Sequence, residues 1–342
     1  MTAPGRVAGG LDRAARSLVA GRPVVLVDDR GGGGSLVVAA DRVDRRAMAF
    51  VVRHTCGFVC VALTGDDCDR LGLGPMVRGG RAGPAFTVTV DAADGITTGI
   101  SAADRAHTAR LLAAPATVPA ALTRPGHVAG VRAAEGGVLT EPGPAEAAVD
   151  LARLAGCRPA GVLAQIVRAD GRIADEADLA AFGAVHGLGV VTTAELVEHR
   201  RRSETLVEAV VRCRMPTRHG EFAAVGYRSY PDGGEHLALV AGEVAGRADV
   251  LVHLHDECLC GDVLGSRDCP CRSELDTALS AVAGHGCGVV LYRRSPGGLF
   301  GHPPVGGGPE PGRALLDAVL ADLGVRTWRP VIPATRAAGA AS

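Results

Sequence analysis

The chain has 342 residues and a mass of 34.7 kDa, enough for two ordinary domains that each bury a core of their own. With 47% apolar and 21% charged residues it reads as a soluble globular protein, and a net charge of -1 gives no electrostatic reason to bind nucleic acid or a membrane surface. All 36 basic residues are arginines and asparagine is also absent, which excludes a lysine Schiff base, a phosphate-loop lysine and N-glycosylation.

Met1 to Asp12 lacks a basic segment followed by a sustained apolar one, and no window offers about 18 uninterrupted apolar residues, so a cytoplasmic protein with small-molecule partners is expected. In chain order, Pro23 to Val27 predicts a strand, Arg42 to Val52 a helix, Phe58 to Leu63 a strand and Ser101 to Ala113 a helix. Ala145 to Leu154 (helix), Ala160 to Val167 (strand), Leu188 to Val191 (strand) and Thr193 to Arg202 (helix) continue the alternation. Beyond the polar run at His199 to Glu204 the pattern changes to closely spaced strands at Val207 to Arg214, Gly220 to Arg228, His236 to Val240 and Val250 to His253. Helix Ser273 to Ala283, strand Gly288 to Tyr292 and helix Arg313 to Leu323 complete it, with a Gly/Pro-rich stretch at Ser295 to Gly312. The expectation is an α+β chain of two mixed α/β domains, residues 1–203 and 204–342.

Four of the ten cysteines fall between Cys258 and Cys271 as C-x-C-x8-C-x-C, a spacing that suits Zn²⁺ on thiolates. Cys258, Cys269 and Cys271 are the expected ligands, with Cys260 as a candidate fourth. If Cys260 coordinates, the site is closed and structural, because a catalytic zinc keeps a position for water. Against this, two cysteines on one face of a regular strand are about 6.6 Å apart in rise, so a turn is needed to bring both to one ion. His253 and His255 share a strand face just upstream and are candidates for supporting or substrate-facing groups. Cys56, Cys60, Cys68, Cys157, Cys213 and Cys287 read as small buried hydrophobes.

The run His255-Asp256-Glu257-Cys258-Leu259-Cys260-Gly261-Asp262-Val263, with Cys269-Pro270-Cys271, resembles the zinc motif of GTP cyclohydrolase II, and Arg214 to Phe222 resembles that domain's opening strand. Val27 to Arg30, Thr97 to Arg105, Arg124-Pro125-Gly126-His127 and Glu135 to Leu139 resemble 3,4-dihydroxy-2-butanone-4-phosphate synthase. Together they follow the order of the bifunctional riboflavin-biosynthesis proteins. The resemblance implies two reactions: conversion of ribulose 5-phosphate, a sugar phosphate, around Mg²⁺, and opening of the guanine ring of GTP, a purine nucleotide, at zinc. It assigns Arg30, His255 and Glu257 to substrate binding and His127 to acid/base work, and it leaves Cys56, where the family has serine, as a candidate nucleophile.

Departures from the family pattern bear on activity. The acidic loop Arg-Glu-Asn-Glu-Gly-Asp is replaced by Arg30-Gly31-Gly32-Gly33-Gly34-Ser35, which removes hard oxygen ligands for Mg²⁺. Gly-His-Thr-Glu becomes Gly143-Pro144-Ala145-Glu146, Glu141 stands where arginine is usual, and a catalytic glutamate corresponds to Gln165, which exchanges no proton near neutral pH. The four glycines do not read as a phosphate cradle, because Leu36 to Ala40 looks like a strand rather than a helix N-terminus. In the second half the Gln-Glu-Gly-Arg-Gly-Ile-Gly loop becomes Ser295 to Gly301, the Asp-x-Arg pair aligns with Pro309-Glu310-Pro311, and the later Thr/Lys positions fall near Ile332 and Ala337, so this domain reads as truncated. The expectations are therefore a riboflavin-pathway protein with a degenerate active site, impaired in one or both reactions; a noncatalytic zinc-stabilised partner of an intact homologue; or new chemistry on a sugar phosphate or purine. A homo-oligomer, or a hetero-oligomer with a homologue, goes with these readings.

Overall fold

A computed structural model describes residues 4–77, 85–231, 233–294 and 311–331. The chain divides into two compact units, Met1–Ser203 and Glu204–Ser342. The first runs α1 (Pro4–Val19), β1 (Val24–Val27), β2 (Gly34–Ala39), α2 (Arg45–His54), β3 (Cys60–Leu63), α3 (Gly65–Arg70), β4 (Phe86–Ala92), α4 (Ala102–Ala113), β5 (Leu122–Arg132), α5 (Pro144–Leu154), β6 (Ala160–Gln165), α6 (Glu176–His186), β7 (Val190–Thr192) and α7 (Thr193–Ser203). Its seven strands lie in the order β4-β5-β3-β6-β2-β1-β7.

Strand alternation decides which helices cover which face. Val25, Val27, Leu36 and Val38 pack with Met48 and Val51 of α2, Leu112 of α4 and Leu179 of α6. Val24, Leu26, Val37 and Ala39 point the other way, onto Leu11 and Leu18 of α1, Leu151 of α5 and Leu196 of α7. With both faces covered, β1 and β2 are buried at every residue, which explains why they read as continuous apolar runs.

The second unit runs β8 (Val207–Thr217), β9 (Gly220–Ser229), β10 (Glu235–Ala241), β11 (Val250–Asp256), α8 (Cys271–His285), β12 (Gly288–Arg293), α9 (Pro311–Asp322) and β13 (Trp328–Pro330). The sheet order is β13-β11-β12-β10-β9-β8, with β11 parallel to β12. Helix α8 covers one face through Ala278 and Val282. Helix α9 covers the other through Leu316, Val319 and Leu320. Two mixed α/β domains are thus what the chain forms.

Several elements lack the expected sequence signal. Strand β5 opens on Thr123-Arg124-Pro125-Gly126, which reads as a turn, and its ladder with β4 slips in register between Val90 and Asp91. His127 accordingly lies within a strand and not in a turn. Helix α6 carries a capping box, Asp175 with Asp178, and a left-handed Gly187 at its end. Cys56 and Cys213 are exposed rather than buried, and Cys157 and Cys287 are half-buried.

Candidate functional site

In the second unit the chain leaves β11 at Asp256 and enters a π-helical turn, Leu259–Val263, which Cys258 caps from an extended conformation. Gly261 N–H donates to Cys258 Sγ at 3.4 Å. A side chain at Gly261 would put its Cβ 2.9 Å from both Cys269 Sγ and Cys271 Cβ, so glycine is what lets the turn close on the later cysteines. Pro270 then starts α8, of which Cys271 is the first residue. The result is a triangle of sulfurs. Cys258 and Cys269 Sγ are 3.4 Å apart, and the three thiols of Cys258, Cys269 and Cys271 all lie within 4.8 Å of one another. Burial, and then hydrogen bonding to the other two thiols, pushes the Cys271 thiol well up from its ordinary value. Three sulfurs packed this closely resist ionising together unless a cation neutralises them.

Cys260 is not part of this group. It is exposed on the π turn. Among the described residues the close group of thiols thus numbers three. Glu257 lies beside the turn, half-buried, with its carboxylate 3.7 Å from Arg294 Nε. His255, expected to face substrate, is instead 3% exposed, with Nε2 3.1 Å from both carboxylate oxygens of Asp262. Neighbouring His253 is half-buried, and its Nε2 is a buried nitrogen without a hydrogen-bond partner among the described residues. The replaced loop at 295–301 and the segment at 309–310 lie outside the described residues, as do Ile332 and Ala337.

In the first unit, β1 and β2 pair with Val27 opposite Gly34, and residues 28–33 form the connecting turn. Asp28 Oδ1 accepts from the N–H groups of Arg30 (3.0 Å) and Gly31 (3.2 Å), while Asp29 Oδ2 accepts from Ala194 N–H (2.7 Å) at the start of α7. Both acidic residues before the glycines are thus occupied in holding backbone. A Cβ at Gly34 would meet Leu179 Cδ1 and Leu26 O at 2.6 Å, so this end of the turn is packed shut. The chain runs from the turn straight into β2, so the glycines do not open a helix. Arg30 is exposed in this turn.

His127 on β5 meets a partner that its own sequence neighbourhood does not announce, Asp91 on β4. His127 Nδ1 is 2.6 Å from Asp91 Oδ2, and His127 N–H donates to Asp91 Oδ1 at 3.0 Å. Asp91 is buried while the His127 side chain is 43% exposed, the arrangement of an imidazole oriented from behind by a carboxylate. Gly99 and Gly126 pack so closely against Asp91, His127 and Val90 that neither admits a side chain. Asp91 lies in β4, for which the sequence reading gives no element, and nothing local marks it as the partner of a histidine 36 positions on. Cys56 is exposed; its N–H donates to Gln165 O, and no side-chain base is hydrogen-bonded to its thiol among the described residues. Cys60 is buried, which pushes its thiol up to about 12. Neither cysteine has the surroundings of an activated nucleophile.

The sequence profile of 3,4-dihydroxy-2-butanone 4-phosphate synthase matches residues 12–199, and that of GTP cyclohydrolase II matches residues 208–301. Riboflavin biosynthesis protein RibBA of Salinispora arenicola is 49% identical over 363 residues, covering 96% of this chain and 85% of the relative. RibBA of Mycobacterium tuberculosis (strain H37Ra) is 51% identical, covering 83% and 69%. The chain belongs to the RibBA family.

RibBA proteins are bifunctional riboflavin-biosynthesis proteins, and riboflavin biosynthesis is where this chain acts. Among solved structures, RibBX of A. baumannii, described as a two-domain 3,4-dihydroxy-2-butanone 4-phosphate synthase, covers 95% of this chain and 94% of its own at 31% identity and TM-score 0.77. A 3,4-dihydroxy-2-butanone 4-phosphate synthase in complex with two magnesium ions is 38% identical at TM-score 0.55, covering 56% of this chain and 97% of its own.

The residues fit the two metals of the RibBA family unequally. For zinc, the three-sulfur triangle is the right donor set, and among the described residues it is the one cluster of three such groups. For magnesium the fit fails. Asp28 and Asp29 are tied to backbone, the loop glutamates are glycines, and Pro144 stands at the start of α5 where the second ligand is histidine in the family. Glu146, the last acid of that segment, accepts from Ala134 N–H at 2.8 Å, and burial raises its pKa.

Proposed function

We propose that this chain serves riboflavin biosynthesis through a zinc centre in its second unit, on Cys258, Cys269 and Cys271, with the fourth coordination position open, and that its first unit is impaired in the magnesium-dependent synthase reaction. The observation that carries this reading is the exclusion of Cys260 from the sulfur triangle. Three thiolates leave room for a water, and zinc bound there would supply a hydroxide near neutral pH and polarise an attacked carbon–nitrogen bond. The protein's own part is to hold the three sulfurs at one point, through the Gly261 turn and the start of α8, and to keep Glu257 beside them.

In the first unit Asp91 orients the His127 imidazole for acid/base work, while the loop glutamates that would serve as oxygen ligands around Mg²⁺ are replaced by the Gly31–Gly34 run. Complementation separates the two halves. Strains requiring riboflavin for lack of the synthase are expected to remain dependent when given this chain, and strains lacking GTP cyclohydrolase II to be the better rescued. Growth of the synthase-deficient strain on this chain overturns the reading of the first unit.

A further inference from the structure

Behind the sulfur triangle lies a second set of side chains, made of His255 on β11, Tyr292 on β12 and Asp262 in the π turn. Asp262 is 8% exposed and sits at its centre. Its Oδ2 accepts from Cys258 N–H (2.9 Å) and from Tyr292 O–H (2.7 Å), and His255 Nε2 lies 3.1 Å from both of its oxygens. The imidazole of His255 stacks on the Tyr292 ring, with centroids 5.3 Å apart and planes 29° apart. On the far side, Arg272, the residue after the ligand Cys271, donates to the backbone carbonyl of Asp262.

A buried carboxylate is costly unless fully hydrogen-bonded, and here the donors come from three different elements. Two of those elements are neighbouring parallel strands, in which His255 and Tyr292 are direct register partners. That frame is rigid. The third donor is the peptide N–H of a metal ligand. The carboxylate therefore transmits the position of the β11–β12 ladder to Cys258, while the backbone carbonyl of Asp262 is held by Arg272 at the start of α8, next to Cys271. His253 and Glu257 flank the network without joining it: His253 Nε2 has no hydrogen-bond partner among the described residues, and Glu257 is paired with Arg294.

We infer that Asp262, with Tyr292 and His255, is the positioning set of the zinc site, fixing Cys258 and its turn in the geometry that holds the metal. This role rests on the zinc centre proposed for the second unit and gives these residues no contact with substrate. Partners one step removed from a metal ligand typically change affinity by roughly 10–100-fold when removed. Tyr292→Phe deletes only the hydroxyl. Asp262→Asn keeps an acceptor for the Cys258 amide but removes the charge and presents N–H groups to donors.

The test uses the full chain loaded with zinc, with the rate of zinc transfer to a chromophoric chelator as readout and the ligand-field spectrum of the Co²⁺-substituted protein as a second. Wild type is expected to hold one zinc per chain, Tyr292→Phe to release it roughly 10-fold faster and Asp262→Asn faster still, each with an altered Co²⁺ spectrum. Val319→Ala, a buried truncation in α9 on the opposite face of the sheet, is expected to lower stability while leaving release and spectrum unchanged. Should Asp262→Asn not fold, Tyr292→Phe carries the test alone. If wild type holds no zinc, the metal reading itself fails. If wild type holds zinc and Tyr292→Phe and Asp262→Asn match it in both readouts, or Val319→Ala changes release as much as they do, the positioning role is overturned and the zinc site stands.

Discussion

His253 makes the second unit sensitive to mild acid in a way that can be calculated. Burial first, and then the neighbouring His255, push its pKa from the ordinary 6.5 down to about 4, with Glu274 and Asp256 pulling the other way. The folded state thus favours neutral imidazole, while the unfolded chain takes up a proton below about pH 6.5. Stability is complete above that value, falls as the pH drops, and levels off below about pH 4. Between pH 7.5 and pH 5 the proton-binding ratio of unfolded to folded chain rises to ~30, a loss of about 2 kcal/mol from this one residue. His253→Leu cannot titrate and removes this contribution. Trp328, the single tryptophan, lies in the second unit, so its fluorescence during guanidinium unfolding reports on that unit alone. Measured at fixed zinc, wild type should lose about 2 kcal/mol more than His253→Leu between the two pH values, since effects common to both proteins cancel. Equal losses would refute the reasoning.

Close packing and ligand supply give further expectations. Gly126→Ala would place a Cβ 2.0 Å from Val90 carbonyl carbon and should destabilise the first unit by roughly 3 kcal/mol or more, visible as a lowered calorimetric transition of that unit. Gly261→Ala crowds Cys269 Sγ and Cys271 Cβ, and in chelator competition it should weaken zinc binding by roughly 10-fold while α8 stays folded by circular dichroism. Magnesium at millimolar concentration should not move the melting transition of the first unit, because a ligand present below its dissociation constant adds less than about 0.4 kcal/mol. A clear magnesium-dependent rise would show that oxygen ligands are assembled after all.

The two units differ in how far their structure can be read from the sequence. The order of strands and helices can be followed wherever apolar periodicity is strong, as in β1, α5 and β12. It is lost at β5, where Pro125 and Gly126 imitate a turn inside a strand. The cysteine cluster can be picked out from spacing because thiols so close in sequence have few other uses in a chain of this kind. Excluding Cys260 requires the π turn, which spacing does not encode. The sequence places His255 on the correct strand but leaves a supporting and a substrate-facing role both open, since an inward ring with a carboxylate partner looks the same in sequence as one facing a ligand. Asp91 acts through His127, brought to it by the fold, and carries no local signature, whereas Asp262 lies within the cysteine motif but only the fold brings Tyr292 to it.

A zinc ion on three sulfurs, with a fourth position left to a light atom, is the feature on which the proposed function of the second unit depends. X-ray absorption at the zinc edge of the purified full chain tests it directly. Three Zn–S distances of about 2.3 Å and one oxygen or nitrogen neighbour at about 2.0–2.1 Å are expected, unchanged in Cys260→Ser. Four sulfurs, reduced to three by Cys260→Ser, would contradict it and return the site to a closed structural role.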